Sequence, residues 1–293
     1  MNEETAPQNQ TPLSIDPATR IGGVTLGVAD LGQMVSFYEK LIGLKILKRT
    51  ATAATLGIDN VPLVSLELRP NGQRYPRATG LFHMALLLPS REDLGQWLKH
   101  LVTHNYRLDG AGEHLVSEAL YLSDPEGNGI EMYRDRPRET WEYEADGRVK
   151  MATLAVDLRA LIADGSDAPF TGLPGGTTMG HIHLQVNDVN KAVQFYRDDL
   201  GMDLMALMPS AGFLSAGGYH HHIGANTWNS RGSTPPPAGS LGLIKYNLIL
   251  PSAEAHDQVI TRLENLDYPL EESETGSLIQ DPAGNRVGLI IDR

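Results

Sequence analysis

The chain lacks cysteine altogether, although it carries ten histidines among its 293 residues. No disulfide, thiolate metal site or cysteine nucleophile is therefore available, and any bound metal must be held by histidine or carboxylate side chains. Basic residues are also scarce, since 24 Lys and Arg stand against 36 Asp and Glu and give a formal net charge of −12. This acidic balance argues against a general affinity for nucleic acid or anionic membranes, which requires a basic surface.

Long apolar runs are missing as well. Runs such as Met84–Leu88 end after five residues, far short of the ~20 residues that span a bilayer. Residues 1–17 are polar and acidic, without the basic and apolar segments of a targeting signal, and they predict a disordered tail. We therefore expect a soluble, cytoplasmic protein without nucleic-acid or membrane partners, and a homo-oligomer by default.

An internal repeat organises the sequence. Ile21–Leu44 aligns with Met179–Met202 at an offset of 158 residues. Both segments begin with a period-two apolar stretch typical of a strand, followed by an Asp suited to a helix N-cap. Apolar residues then recur at helical spacing up to a Gly suited to a helix end. Each segment therefore predicts a strand followed by a helix.

Two further pairs of segments repeat beyond this one. They align Leu81–Ser90 with Leu243–Ser252, and DPEGNGIEM at 124–132 with DPAGNRVGL at 281–289. Each copy predicts a strand, a helix and several short strands, and the last segment of each begins with a tight turn. We call the four copies units one to four, at 18–70, 78–136, 177–230 and 240–293. The predicted organisation is an N-terminal pair, 18–136, a linker, 137–176, and a C-terminal pair, 177–293.

Three segments give this pattern a recognisable character: GHIHL at 180–184, YHHHIGANTW at 219–228 and SEALYLSDPEGNGIEMYRDRP at 117–137. With the fourfold repeat, they resemble the vicinal oxygen chelate superfamily, and within it the bacterial two-domain catechol 2,3-dioxygenases, over residues 18–293. The resemblance implies an α+β fold of four βαβββ modules, paired into two cupped mixed sheets around a metal. It also implies Fe(II), with Mn(II) as the alternative, and a catechol-type substrate that reacts with O2.

The resemblance implies three metal ligands: a His on the first strand of one module, and a His and a Glu on the first and last strands of its partner. Residues of these types occur as His181 in unit three and as His83 and Glu131 in unit two. Their counterparts in units one and four are Gly23, Lys245 and Gly288. Two imidazoles and one carboxylate leave three coordination positions open, as in the facial triad of non-haem Fe(II) oxygenases.

The distribution of these residues also constrains the fold. The site requires unit two to pair with unit three, which leaves unit one to pair with unit four. His183 lies two residues from His181 and shares its strand face, so it is the alternative ligand, although the resemblance favours His181.

Further site residues follow from the resemblance. The YHHH segment contains the acid/base that handles the catechol proton, for which His222 fits best and His221 second. An unperturbed imidazole titrates near pH ~6.5, which suits both accepting and returning a proton. Alternation along a strand would place His220 and His222 on one face and His221 on the other.

Two side chains of unit two complete the expected site. Tyr121, ten residues before Glu131 across a hairpin turn, is expected on the adjacent strand, where its phenol could steady an oxygen intermediate. His114 resembles a family histidine that contacts a substrate hydroxyl. The Phe-Tyr pairs at 37–38 and 195–196 are predicted to be core, and three other histidines are predicted to be solvated: His100, His104 and His256.

The sequence thus favours an Fe(II)-dependent extradiol dioxygenase that opens catechol or a substituted catechol. A glyoxalase-like lyase, an epimerase or a thiol transferase of the same superfamily is the alternative among enzymes. A lyase of this kind usually presents a second carboxylate to the metal, where this chain offers His181. Outside enzymes, the alternative is a metal-free protein that binds a small molecule in an apolar cup.

Overall fold

A computed structural model of the protein describes residues 14–273 and 275–292. Unit one forms β1 (Arg20–Val28), α1 (Leu31–Ser36), a π-helical continuation of α1 (Phe37–Ile42), β2 (Lys45–Arg49), β3 (Ala53–Ile58) and β4 (Val61–Leu68). Unit two forms β5 (Gly80–Leu87), α2 (Arg91–Thr103), β6 (Gly110–Glu113), β7 (Ser117–Ser123) and β8 (Gly129–Asp135). Both units therefore have the predicted order of one strand, one helix and three strands.

The second half of the chain repeats this order. After the linker, which holds a 3₁₀ turn (Arg138–Thr140) and α3 (Leu158–Asp164), come units three and four. Unit three forms β9 (Thr178–Gln185), α4 (Val189–Gln194), its π-helical continuation (Phe195–Asp199), β10 (Asp203–Met208), β11 (Ala211–Ser215) and β12 (Ile223–Asn226). Unit four forms β13 (Gly242–Leu250), α5 (Ala253–Asn265), β14 (Glu271–Ser273), β15 (Gly276–Gln280) and β16 (Arg286–Ile291).

Local sequence fixes the ends of the repeated helices. The Asp30 carboxylate accepts the Gln33 amide at the start of α1, and Asp188 accepts the Asn190 amide at the start of α4, as N-caps do. Gly43 ends the first π-helical segment with φ +97°, a left-handed conformation that favours glycine. None of the described helices is both long enough and apolar enough to cross a membrane.

The strands form two curled, mixed, eight-stranded sheets, and each sheet combines units from both halves of the chain. Units three and two form the sheet β10-β11-β12-β9-β5-β8-β7-β6, which we call the ligand sheet. Units four and one form the sheet β14-β15-β16-β13-β1-β4-β3-β2, which we call the sister sheet. The first strands of the paired units meet antiparallel at the centre, β5 with β9 and β1 with β13. The predicted α+β fold and the pairing of unit two with unit three are confirmed.

One large hydrophobic cluster joins residues of both sheets to the helices, beside two smaller clusters formed by the described residues. Both Phe-Tyr pairs lie in the large cluster, as predicted. Tyr38 of unit one donates to Asp124 of unit two, and Tyr196 of unit three donates to Asp281 of unit four, each at 2.9 Å. Consecutive units are therefore joined through their helices and turns, whereas the sheets join units that are distant along the chain.

The predicted tail and linker differ in part from the structure. Residues 1–13 lie outside the described part of the chain, but Ile15 is buried and its amide donates to the Gly201 carbonyl at 2.8 Å. The last residues of the predicted tail are therefore packed. The linker helix predicted near Thr153–Ala163 is α3, which begins five residues later, at Leu158, because Asp157 caps it. The division of the chain at 137–176 stays a prediction.

Candidate metal centre and its cavity

Three neighbouring strands of the ligand sheet bring the predicted ligands together. His83 lies on β5, Glu131 on β8 and His181 on β9, and β5 is the central strand. Ala85 pairs in register with Glu131 on one side and with His181 on the other. Since alternate residues of a strand share a face, His83 stands on the same face as Ala85, and the small Ala85 leaves room between the three polar side chains.

The donor atoms of the three side chains converge. The Oε2 atom of Glu131 lies 3.0 Å from His83 Nε2 and 3.1 Å from His181 Nε2. All three residues are buried, with 7%, 2% and 1% of the surface of His83, Glu131 and His181 exposed. In the described part of the chain, these are the residues whose nitrogen and oxygen donors cluster closely enough to hold a metal ion.

The chemistry of this donor set fits a divalent metal. The Nε2 atom of His83 is buried and has no hydrogen-bond partner among the described residues, although a carboxylate oxygen lies beside it. Two ligands at right angles, each about 2.1 Å from a metal, are separated by about 3.0 Å. The two nitrogen–oxygen distances therefore match those between ligands of a shared cation, and His181 Nε2 is also at hydrogen-bonding distance from Glu131 Oε2.

Burial and mutual contact set the protonation of this group. Burial by itself raises the pKa of the Glu131 carboxyl, but the adjacent imidazoles of His181 and His83 outweigh it and hold that pKa well below its usual range. Burial lowers the pKa of His181, and Glu131 only partly offsets this effect. The centre therefore presents a carboxylate and neutral imidazole, which are the forms that bind metals.

A cavity of about 680 Å³ opens onto the centre. His83 and Glu131 line it, together with an aromatic wall formed by Phe82, Phe213 and Trp228. Linker residues 151–153 close another side, and they had not been expected to take part in the site. Such a volume lies within the range of small-molecule binding sites in proteins.

Tyr121 and His114 both line the cavity and contact each other. Tyr121 pairs in register with Glu131 across the β7–β8 hairpin, so its position on the adjacent strand is as predicted. His114 Nδ1 donates to the Ala152 carbonyl at 2.8 Å, and its Nε2 lies 2.7 Å from the Tyr121 hydroxyl oxygen. Burial, with a further contribution from Glu131, raises the pKa of Tyr121. The phenol therefore stays protonated, and its contact with His114 fixes its orientation.

The three consecutive histidines do not alternate as a strand. Gly217 and Gly218 form a turn with φ +60° and +66°, and β12 begins only at Ile223. His221 lines the cavity with its ring centroid 4.1 Å from that of His181. His222 does not line the cavity. Its Nδ1 instead accepts the Ala216 amide at 3.1 Å. The structure therefore places His221, the second choice from the sequence, at the cavity instead of His222.

The electrostatic surroundings of His221 and His222 both favour neutral rings. Burial, together with the nearby His220, His181 and Arg138, lowers the pKa of His222 to about 3. Burial and the neighbouring His181 and His220 hold the pKa of His221 well below its usual value. The lone pair of His222 is already occupied by the Ala216 amide.

His183 lies next to the centre without joining it. Its ring centroid is 4.9 Å from that of His83, it lines the cavity, and its buried Nε2 has no hydrogen-bond partner among the described residues. The three histidines that were predicted to be solvated do not line the cavity. His104 is exposed as predicted, whereas His100 and His256 are half-buried, and His100 Nε2 contacts the Lys40 carbonyl at 2.9 Å.

Several residues around the centre were not singled out in the sequence. Tyr133 packs over Gly180, where a β-carbon would lie 1.8 Å from the Tyr133 hydroxyl oxygen, so the Gly of the GHIHL motif makes room for this ring. Asp135 hydrogen-bonds His220 at 2.9 Å. Both residues lie within the long motif at 117–137, and that motif was the sequence signal from which they could have been identified as site residues.

The sequence also places the chain in a known superfamily. The sequence profile of the Glyoxalase/Bleomycin resistance protein/Dioxygenase superfamily matches residues 20–132 and 178–289. The chain belongs to this superfamily. The two matches extend over most of each of the four units and leave out the whole linker.

Individual relatives sharpen this placement. The chain is 44% identical to the catechol-2,3-dioxygenase of Bacillus subtilis (strain 168) over 274 residues, which are 92% of this chain and 96% of that protein. A candidate dioxygenase from Bacillus subtilis subsp. subtilis str. 168 has a solved structure with a TM-score of 0.65 at 13% identity, covering 96% of this chain and 86% of that one. Glyoxalase I from Zea mays follows with a TM-score of 0.56 at 15% identity, covering 94% and 92%. The two solved structures support the fold.

Proposed function

We propose that the protein is an extradiol ring-cleaving dioxygenase, which opens catechol or a substituted catechol with O2 at Fe(II) held by His83, His181 and Glu131. The observation that carries this proposal is the buried convergence of two imidazoles and one carboxylate at a cavity of about 680 Å³. The 44% identity to a catechol-2,3-dioxygenase supports the same substrate class.

The donor set explains why a catechol would be accepted. Fe(II) held by His83, His181 and Glu131 would supply Lewis-acid and redox chemistry, and a set of three protein ligands would leave room for a catechol and O2. Glu131 offsets one of the two positive charges of the metal, so a catecholate binds without excess negative charge. The wall of Phe82, Phe213 and Trp228 offers apolar surface to the aromatic ring and leaves room for substituents.

Two polar groups flank the space in front of the centre. His221 is the proposed acid/base, because it lines the cavity beside His181 and has a neutral ring that can accept a catechol proton. Tyr121 is proposed to hydrogen-bond the reacting oxygen atoms, with His114 holding its hydroxyl in place. His222 and His183 are proposed to support the site without handling the substrate proton.

The composition of the centre argues against the alternatives. A lyase of this superfamily would present a second carboxylate, whereas the cluster formed by the described residues contains one carboxylate, that of Glu131. A metal-free binding protein would have no use for a buried His83 nitrogen without a partner. Mn(II) has the same preference for this ligand geometry and is the alternative metal.

Anaerobic reconstitution with Fe(II), followed by addition of catechols in air, tests the proposal. We expect stoichiometric metal binding, oxygen uptake and a coloured ring-opened product. Glu131→Gln should lose both metal and activity, whereas His104→Gln, at the exposed C-cap of α2, should retain both. Bound metal without oxygen uptake over a panel of simple and substituted catechols would refute the function, and activity with Mn(II) but not with Fe(II) would refute the choice of metal.

A further inference from the structure

The YHHH segment contains one buried histidine that the proposed function does not use. His220 has no exposed surface and does not line the cavity. Its Nε2 lies 2.9 Å from Asp135 Oδ1, and its Nδ1 lies 2.8 Å from Nδ1 of His221. A chain of three polar side chains thus leads from the end of β8 to the cavity.

The direction of these hydrogen bonds follows from the chemistry of their atoms. A carboxylate can only accept, so Nε2 of His220 carries a hydrogen and donates it to Asp135. The two Nδ1 atoms lie at hydrogen-bonding distance, so one carries a hydrogen that the other accepts, and the arrangement in which His220 accepts places this hydrogen on Nδ1 of His221. A neutral His221 in this tautomer has its lone pair on Nε2, which is the ring nitrogen not engaged by His220.

The carboxylate at the far end of the chain is itself fixed. The Tyr219 hydroxyl donates to Asp135 Oδ2 at 2.9 Å, and the Tyr133 hydroxyl lies 2.8 Å from that of Tyr219. The Trp141 ring packs against His220 with its centroid 5.4 Å away. Because both carboxylate oxygens have protein partners, Asp135 has little freedom to turn away from His220.

We propose that Asp135 and His220 are positioning residues, which orient His221 and hold it in the Nδ1-protonated tautomer with the Nε2 lone pair available to the substrate. This inference rests on the proposed function, because it assigns His221 the proton of a bound catechol. A carboxylate that fixes the tautomer of a catalytic histidine has the same physical role in serine hydrolases.

The tautomer can be measured without metal or substrate, by ¹⁵N NMR of histidine-labelled, metal-free protein. We expect His221 in the wild-type protein to be protonated at Nδ1. A matched pair of variants isolates His220, since His220→Asn keeps an oxygen that can accept the His221 proton, whereas His220→Leu has similar size and no acceptor. His220→Asn should keep the tautomer, and His220→Leu should give a mixture.

Asp135 is tested by Asp135→Asn, in which the Tyr219 hydroxyl can still donate to the amide oxygen and so turn the amide donor toward His220 Nε2. His220 must then accept at Nε2, which moves the protons to His220 Nδ1 and His221 Nε2. Tyr219→Phe should keep the wild-type tautomer. Protonation of His221 at Nε2 in the wild-type protein, or an unchanged tautomer in His220→Leu, would overturn the inference even if other variants fail to fold.

Kinetics of the Fe(II)-loaded enzyme separate this inference from the proposed function. His220→Leu should lower kcat by about 10²-fold or more, with metal content unchanged and the KM for catechol within about threefold. His220→Asn should recover most of kcat. A wild-type protein without ring-cleaving activity would refute the proposed function, whereas full activity in His220→Leu would refute the positioning role alone.

Discussion

The ligand sheet and the sister sheet have the same order of strands but different chemistry. Both pair two units through antiparallel central strands and carry parallel and antiparallel neighbours in matching places. The cavity that opens onto the metal-type cluster of the described residues belongs to the ligand sheet. The comparison separates the residues that make the fold from those that make the site.

The residues of the fold are common to both halves of the chain. In the DP-x-GN turns, Asp124 accepts the side chain of Asn128 at 2.8 Å, and Asp281 accepts that of Asn285 at 2.9 Å. Each of these carboxylates also accepts a buried tyrosine hydroxyl from the preceding unit. The turn and the Phe-Tyr pair are therefore structural, and this explains why the repeat retains them where no ligands occur.

At the positions of the site, the sister sheet has a large residue where the ligand sheet has a small one, and a glycine where the ligand sheet has a carboxylate. Asn247 stands where the ligand sheet has Ala85, and its register partner is Gly288, where the ligand sheet has Glu131. A β-carbon on Gly288 would lie 2.3 Å from Asn247 Oδ1. The space that Ala85 leaves for a carboxylate is therefore filled by Asn247 in the sister sheet.

Loss of a ligand should have the largest effect on this comparison. His83→Gln should lower metal affinity by more than about a hundredfold and abolish dioxygenase activity, because changes to mere supporting residues already cost about 10–100-fold. The matched change in the sister sheet, Lys245→Gln, should alter neither quantity. Metal titration by calorimetry measures both variants, and equal losses in the two would mean that the sheets do not differ as described.

Exchange of the small residue between the sheets should have the next largest effect. Ala85→Asn would place an amide between Glu131 and His181, and we expect metal affinity to fall by about 10–100-fold through crowding and new hydrogen bonds. Asn247→Ala should leave metal affinity unchanged. Full metal affinity in Ala85→Asn would show that the space beside Glu131 is not required.

The shared network should affect stability in both halves. Tyr38→Phe and Tyr196→Phe each remove a tyrosine hydroxyl that donates a hydrogen bond to a buried carboxylate. Each should lower the free energy of unfolding by about 1–3 kcal/mol. Tyr196→Phe should have the larger effect, because its hydroxyl also contacts that of Tyr246 at 2.8 Å. Urea unfolding measures these losses. Metal affinity should be unchanged, and its loss in either variant would contradict the separation of fold from site.

The same tyrosines should make the protein sensitive to alkali. Burial, together with Asp281, raises the pKa of Tyr196 well above its usual value, whereas an unfolded chain releases this proton near pH ~10. The unfolded state thus binds fewer protons above that pH, so stability falls as pH rises. Tyr196→Phe should reduce this slope by about 0.7 kcal/mol per pH unit near pH ~10 and by about 1.4 kcal/mol per pH unit where the unfolded tyrosine is fully ionised. Unfolding between pH 9 and 11 tests it, with Tyr143→Phe, at an exposed position, as the control.

Much of this site was accessible from the sequence because the chain contains its own comparison. Ligand-type residues at three positions, with Gly23, Lys245 and Gly288 at their counterparts, indicated which units carry the site and which must share a sheet. Hairpin geometry then placed Tyr121 opposite Glu131. The resemblance to the superfamily supplied the ligand types, and the repeat then showed which units carry them.

The histidine segment shows where this reasoning fails. Alternation applies to extended strands, but the left-handed turn at Gly217 and Gly218 precedes β12 and rotates the three histidines out of that pattern. His221 therefore reaches the cavity and His222 does not. The contact of Asp135 with His220, separated by 85 residues, and that of His114 with Ala152 of the linker depend on neighbours that no local pattern specifies.

The sequence by itself determined the four units, their caps and turns, and the three residues that converge in the ligand sheet, because each of these depends on spacing along the chain. The tertiary structure decided which histidine faces the cavity, which groups hold it there, and how the linker and the aromatic wall enclose the space above the centre. Those features arise from segments that meet only when two distant units share one sheet. Their geometry is therefore a property of the folded chain and not of any one motif.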